Sequence, residues 1–108
     1  MNHLPERDWK VARDLKNELL GNACARILKE VRSIAEADVE SSHTAYLKLW
    51  KLMQREDEKI GVMFDDLKRS NCISKTAAWL RFGLLTNEHL AQFTETTQES
   101  IRFVSRLR

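Results

Sequence analysis

Residues 43–68 read HTAYLKLWKLMQREDEKIGVMFDDLK and carry the clearest helical pattern in the chain. Every third or fourth position falls on one seam, which comprises Tyr46, Leu49, Met53, Glu56, Ile60, Met63 and Leu67. Such a heptad seam is typical of a helix packed along another helix. No proline interrupts the seam, and its polar middle, residues 54–59, consists largely of good helix formers. We therefore expect one helix over residues 41–68.

A second long helix is predicted upstream, over residues 5–37. Pro5 suits a first helical turn, where its missing N–H is not needed. The apolar stripe of this segment moves to a different face beside Gly21. The segment is either one bent helix or two shorter ones that meet at Gly21. We favour one bent helix because nothing near Gly21 resembles a loop.

The two long helices are expected to form an antiparallel hairpin with a turn near Asp38. That pairing would place Glu56, the one charge in the seam, opposite the phase change at Leu20–Gly21. The remaining sequence predicts a C-terminal cap of two or three shorter helices over residues 71–82, 87–93 and 96–107. Gly83 should end the first of these in a left-handed conformation. Thr86 should cap the next helix. The expected fold class is therefore all-α.

Composition supports a single helical domain over residues 1–108. The chain has one proline and three glycines, too few for the frequent turns of an all-β fold. Its net charge of +2 is spread along the chain, without the basic stripe of a phosphate-binding protein. No apolar run approaches the ~20 residues of a membrane span, and no signal peptide is visible. Cys24 and Cys72 are expected to be small buried side chains in a cytoplasmic protein.

Few residues are arranged for chemistry. Glu40 and His43 have the Glu-x-x-His spacing of di-iron bundles, but those sites need the pattern twice with two further glutamates. Glu56 could be a buried functional carboxylate, although a charge in a seam more often pairs locally or fixes register. An enzyme or metal protein using these three residues is the least favoured interpretation. We expect no catalytic residue, no metal and no cofactor, and therefore not an enzyme.

The function favoured by the sequence is a non-catalytic interaction or assembly module. A hairpin of this length is longer than the C-terminal helices can cover, and its second helix has a wide apolar arc. We therefore expect a homodimer that also docks an unidentified protein partner. Interfaces favour aromatic side chains as anchors at their centres, which selects Trp50, Tyr46 and Trp79. The expected interface residues are Tyr46, Trp50, Met53, Trp79 and Phe82.

The alternative function is a small nucleic-acid-associated regulator that uses the 77–107 helical region. A helix, a glycine turn and a second helix match the outline of a helix-turn-helix DNA reader. Arg81 is the nearest basic residue, and the second helix begins with Glu88 rather than with the basic or amide groups that read a groove. Nucleic acid binding therefore stays the second hypothesis.

Overall fold

A computed structural model describes residues 4–37 and 41–107, and all its regular elements are helices. Two long helices, α1 (Glu6–Glu36) and α2 (Ser42–Phe64), form the hairpin. A single 3-10 turn (Arg69–Asn71) leads to α3 (Cys72–Arg81). The short α4 (Asn87–Leu90) and the final α5 (Glu95–Ser105) complete the cap. The expected all-α hairpin with a C-terminal helical cap is confirmed.

Helix α1 runs without interruption through Gly21, so the prediction of one long helix is confirmed. A side chain at Gly21 would meet no atom within 4 Å, which means that this glycine is not required by packing. Pro5 stands at the N-cap with φ −57°, and Glu6 and Asp8 lie in the positively polarised first turn. The expected turn at Asp38 lies outside the described residues.

Helix α2 also continues through its polar middle, but it ends at Phe64 rather than at residue 68. The side chain of Asn71 closes the turn that follows, because it accepts from the Lys68 N–H at 2.9 Å and donates to the Asp66 carbonyl at 2.8 Å. Asp66 itself has φ +58°, a left-handed conformation that aspartate tolerates better than most residues. Leu67 therefore follows the helix instead of extending its seam.

As expected, Gly83 ends the first helix of the cap and Thr86 begins the second. Gly83 has φ +74°, and the N–H groups of Leu84 and Leu85 both donate to the carbonyl of Trp79. This arrangement satisfies a carbonyl at the end of α3 and buries the two leucines. The hydroxyl of Thr86 then accepts from the His89 N–H and caps α4, which is a single turn.

The core occupies only one end of the molecule. Phe64 and Trp79 stack with their ring centroids 5.4 Å apart, and the indole N–H of Trp79 donates to the Met63 carbonyl at 2.9 Å. Beyond Ala23, the rest of α1 has no buried residue among those described. We call residues 4–23 and 56–107 the body, and residues 24–37 and 41–55 the arm. The molecule measures 55 × 22 × 22 Å, and none of its described helices is long and apolar enough to span a membrane.

Candidate docking surface on the arm

The buried edge of α2 differs from the predicted seam in the arm. Tyr46 and Met53 were expected to face α1, yet they are 63% and 47% exposed. Leu52 is instead 2% exposed, and Ala45 is half-buried. The seam thus begins one residue earlier than the sequence suggested. Ala45 and Leu52 are each followed by another apolar residue, Tyr46 and Met53. The heptad pattern alone could therefore not show which of two adjacent positions faces α1.

One side of the arm's base faces the cap. The guanidinium of Arg26 donates to the carbonyls of Phe82 and Gly83 at 2.8 and 2.7 Å. Arg26 and Lys59 line a groove beneath this contact, together with Ala23, Ile27, Glu30, Glu56, Ile60, Met63, Phe82 and Leu84. These two residues therefore mark the cap-facing side of α1 and of α2.

The opposite side of the arm is apolar and uncovered. At about 100° per residue, Leu28 lies about 160° around α1 from Arg26, and Trp50 lies about 180° around α2 from Lys59. Two stripes with helical spacing pass through these positions and project away from the cap. We call them the bare face, which consists of Cys24, Leu28 and Val31 on α1 and Tyr46, Trp50 and Met53 on α2.

The bare face is large for the surface of a small monomer. Leu28 is 52% exposed and Trp50 is 56% exposed. With Tyr46 and Met53 they expose about 450 Å² of side-chain surface, taking about 200 Å² for each whole side chain. Contiguous apolar patches above a few hundred Å² mark interaction sites more often than ordinary surface. None of the six residues is charged.

On α2, the charge of the arm is concentrated away from the bare face. Lys48, Lys51 and Arg55 follow one another at helical spacing on α2, and residues 41–55 contain no acidic residue. Trp50 lies about 160° around the helix from Lys48. Helix α2 is therefore amphipathic in the arm, with a solvated cationic side and an apolar side that nothing in the described chain covers.

Glu56 forms a local ion pair at the boundary between arm and body. Its carboxylate accepts from Arg55 Nε and Lys59 Nζ, both at 3.2 Å. Burial raises the pKa of Glu56, but the hydrogen bonds from Lys59 and Arg55 outweigh burial and hold the pKa below its usual value. Glu56 lines the same groove as Ala23 and Ile27, the first of which follows Gly21 by two residues.

Two of the five predicted interface residues lie elsewhere. Trp79 is fully buried between α2 and the other cap helices, so it has no surface to offer a partner. Phe82 is exposed, but it lies on the cap-facing side. Tyr46, Trp50 and Met53 share the bare face. Sequence reasoning missed Leu28, although its spacing of four residues from Cys24 was a usable signal.

The expected burial of the cysteines is right for one and wrong for the other. Cys72 is buried, whereas Cys24 is exposed and lies about 160° around α1 from Arg26, away from the cap. Both are free thiols. Burial, reinforced by the nearby Asp8 carboxylate, raises the pKa of the Cys72 thiol to about 11.

Arg81, the basic residue nearest the predicted reading helix, has structural partners. Arg81 donates from Nε to the Ser105 carbonyl at 3.1 Å and from a terminal nitrogen to the Val104 carbonyl at 3.2 Å. Its guanidinium thus caps the C-terminus of α5. Helix α4, in the position of a reading helix, has only four residues.

His43 is exposed at the start of α2, and Glu40 lies outside the described residues. Within residues 4–37 and 41–107, no three His, Cys, Asp or Glu side chains are grouped so as to hold a metal ion. Comparison with protein-family models, with curated proteins and with solved structures gives no match.

Proposed function

We propose that this chain is a non-catalytic interaction module that works as a homodimer and docks a protein partner through its arm. One observation carries the proposal: the bare face exposes two aromatic side chains, a methionine and a leucine on one uncharged surface. Interfaces are enriched in aromatic residues and methionine and are depleted of charge at their centres. We also place the protein in the cytoplasm, where the exposed Cys24 would stay reduced.

The division into body and arm supports this role. The body contains nearly all the buried side chains, so it can maintain the fold while the arm remains available. Covering about 450 Å² of apolar surface would contribute about 10 kcal/mol at about 25 cal/mol/Å². Association costs of comparable size leave a modest net affinity. The arm is thus suited to reversible docking.

The test compares two glutamate variants of α2. Trp50→Glu places a charge at the centre of the bare face, and Val62→Glu places one on another side of the same helix. Val62 is 70% exposed, so it is a matched control for surface charge. In chemical cross-linking within host cells, wild type and V62E should yield the same adducts, and W50E should lose them. Identical adducts for all three chains would contradict docking through the bare face.

A further inference from the structure

We infer that His89 makes the start of α4 sensitive to pH: the neutral imidazole caps the helix by binding the Thr86 N–H, and the protonated ring releases that N–H while it keeps its contact with Glu18 on α1. This device lies in the body and involves no residue of the arm, so it is independent of the proposed docking. It is supported by the hydrogen bonds of the ring, by their role in the cap and by the charges beside them.

Both ring nitrogens of His89 have a partner. Nδ1 lies 3.0 Å from the backbone nitrogen of Thr86, whose N–H donates to it. Nε2 lies 3.1 Å from a carboxylate oxygen of Glu18. An imidazole nitrogen that accepts a hydrogen bond carries no proton, so the neutral ring carries its proton on Nε2 and donates it to Glu18. The two contacts therefore select one tautomer.

The bond between the His89 ring and Thr86 is half of a capping box. The Thr86 hydroxyl accepts from the His89 N–H at 3.1 Å, and the His89 ring accepts from the Thr86 N–H. Glutamate or glutamine usually supplies the second acceptor, and each has a side-chain oxygen that accepts at neutral pH. Histidine is different because its charge changes between about pH 5 and 8. This capping box can therefore be opened by a proton.

Protonation of His89 removes the acceptor of the Thr86 N–H. The imidazolium carries a proton on both nitrogens, so an Nδ1–H would face the Thr86 N–H across 3.0 Å. Two donors cannot share that contact, and the ring must move away from Thr86. The Nε2–H can still donate to the Glu18 carboxylate, now in a charge-assisted bond. Acid thus opens the cap of α4 and preserves its link to α1.

The charges around His89 allow the imidazolium to stay in place. Glu18 is the described side chain that forms an ion pair with the ring. Glu88 precedes His89 on α4, and Asp14 lies one turn before Glu18 on α1. Arg26, two turns after Glu18, is already bound by two carbonyls of the cap. The His89 side chain is 15% exposed, so a proton from solvent can reach it.

The part of the body that responds is small. Helix α4 is a single turn, and its Leu90 is buried together with Leu84 and Leu85, which precede the turn. These leucines hold the corner against the body in either protonation state. Loss of the cap should therefore loosen the backbone at Thr86 without unfolding the domain, as a local opening of low stability does.

Nuclear magnetic resonance of the full chain tests the inference. At neutral pH the nitrogen chemical shifts of the His89 ring should identify the tautomer protonated on Nε2. Between about pH 7.5 and 5.5, a range that spans ordinary histidine titration, the Thr86 amide should titrate together with the ring. Its protection from hydrogen exchange, corrected for the intrinsic effect of pH, should fall about tenfold, as expected for one lost hydrogen bond.

His89→Gln is the matched control. The glutamine oxygen can accept from the Thr86 N–H and its NH₂ group can donate to Glu18, and neither group titrates in this range. H89Q should therefore keep the same Thr86 protection at every pH. A neutral ring protonated on Nδ1, or a wild-type Thr86 amide that stays protected across the range, would overturn the inference. Equal losses in wild type and H89Q would also overturn it, because another group would then be responsible.

Discussion

Replacing Asp8 tests how the two ends of the chain are joined. Asp8 is fully buried in the first turn of α1, and its carboxylate accepts three hydrogen bonds from the start of α5. The donors are the Thr94 N–H at 2.8 Å, the Thr94 hydroxyl at 2.7 Å and the Thr97 hydroxyl. The negative charge also faces the positively polarised N-terminus of α5.

Asp8→Ala should lower the free energy of unfolding by about 3–5 kcal/mol. Each hydrogen bond to a charged group contributes about 1.5–3 kcal/mol, and the losses are not additive. The variant also removes the carboxylate acceptor from the half-buried Thr94 N–H and from the buried Thr97 hydroxyl. Since small domains have about 5–15 kcal/mol of stability in total, this one change would remove a large part of it.

Asp8→Asn separates charge from shape. The amide keeps one oxygen for the Thr94 N–H, and its NH₂ group can donate to a rotated threonine hydroxyl. We expect a loss of about 1–2 kcal/mol, for the charge-assisted part alone. Urea denaturation followed by circular dichroism at 222 nm, a standard helix signal, gives these values by linear extrapolation.

Asp14→Ala is the matched control, because Asp14 lies on the same helix with an exposed side chain. Its effect should stay within about 0.5 kcal/mol, as for ordinary surface substitutions. If Asp8→Ala cost no more than Asp14→Ala, or if Asp8→Asn cost as much as Asp8→Ala, the buried carboxylate would not hold α1 to α5 by charge-assisted bonds.

Three further perturbations address other features. In native protein a disulfide reagent should titrate Cys24 rapidly and spare Cys72, whose pKa burial raises to about 11, until denaturant exposes it; equal rates would contradict the packing around α3. Glu56 has a pKa below its usual 4.5, so its stabilising pair is intact above that value and is lost as the pH falls through the lower folded pKa. Wild type should therefore lose more stability than Glu56→Gln on going from pH 6 to about 3 in parallel thermal melts, and parallel losses would argue against the pair. Gly83→Ala should cost about 1–2 kcal/mol in urea denaturation because its φ is +74°, whereas Gly21→Ala should be neutral or stabilising; the reverse order would refute the assigned helix end.

The sequence predicts the extent of a helix where a local residue pattern determines that extent. Helix α1 could be predicted as continuous because a single glycine inside a helical pattern does not by itself end a helix. The end of α2 at Phe64 could not be predicted, because Leu67 fits the heptad spacing although it lies beyond the helix. That end depends on Asn71, whose side chain bonds two backbone groups of the turn before it. Side-chain bonds of this kind compete with helix formation and leave no periodic signal.

The docking surface was only partly predictable. Trp50 and Tyr46 were selected as large apolar residues on a wide arc, and the arc is real. Trp79 was selected as an aromatic anchor, yet α3 is enclosed by α2 on one side and by α5 on another. Apolar composition gives the breadth of an apolar surface, and only the packing of neighbouring helices determines which part is covered.

The phase change at Gly21 has a physical cause that joins the fold to the proposed surface. Before it, α1 buries Ala12, Leu15 and Leu19 against the helices of the cap. Beyond it the cap reaches α1 on one side, where Arg26 donates to the Phe82 and Gly83 carbonyls, and no described residue of α1 after Ala23 is buried. Helix α2 is then the main neighbour, and the inward stripe rotates to face it. A helix with one neighbour on a single side can bury only a narrow stripe. The additional apolar stripe through Leu28 therefore stays uncovered within one chain, and the proposed docking depends on that uncovered surface.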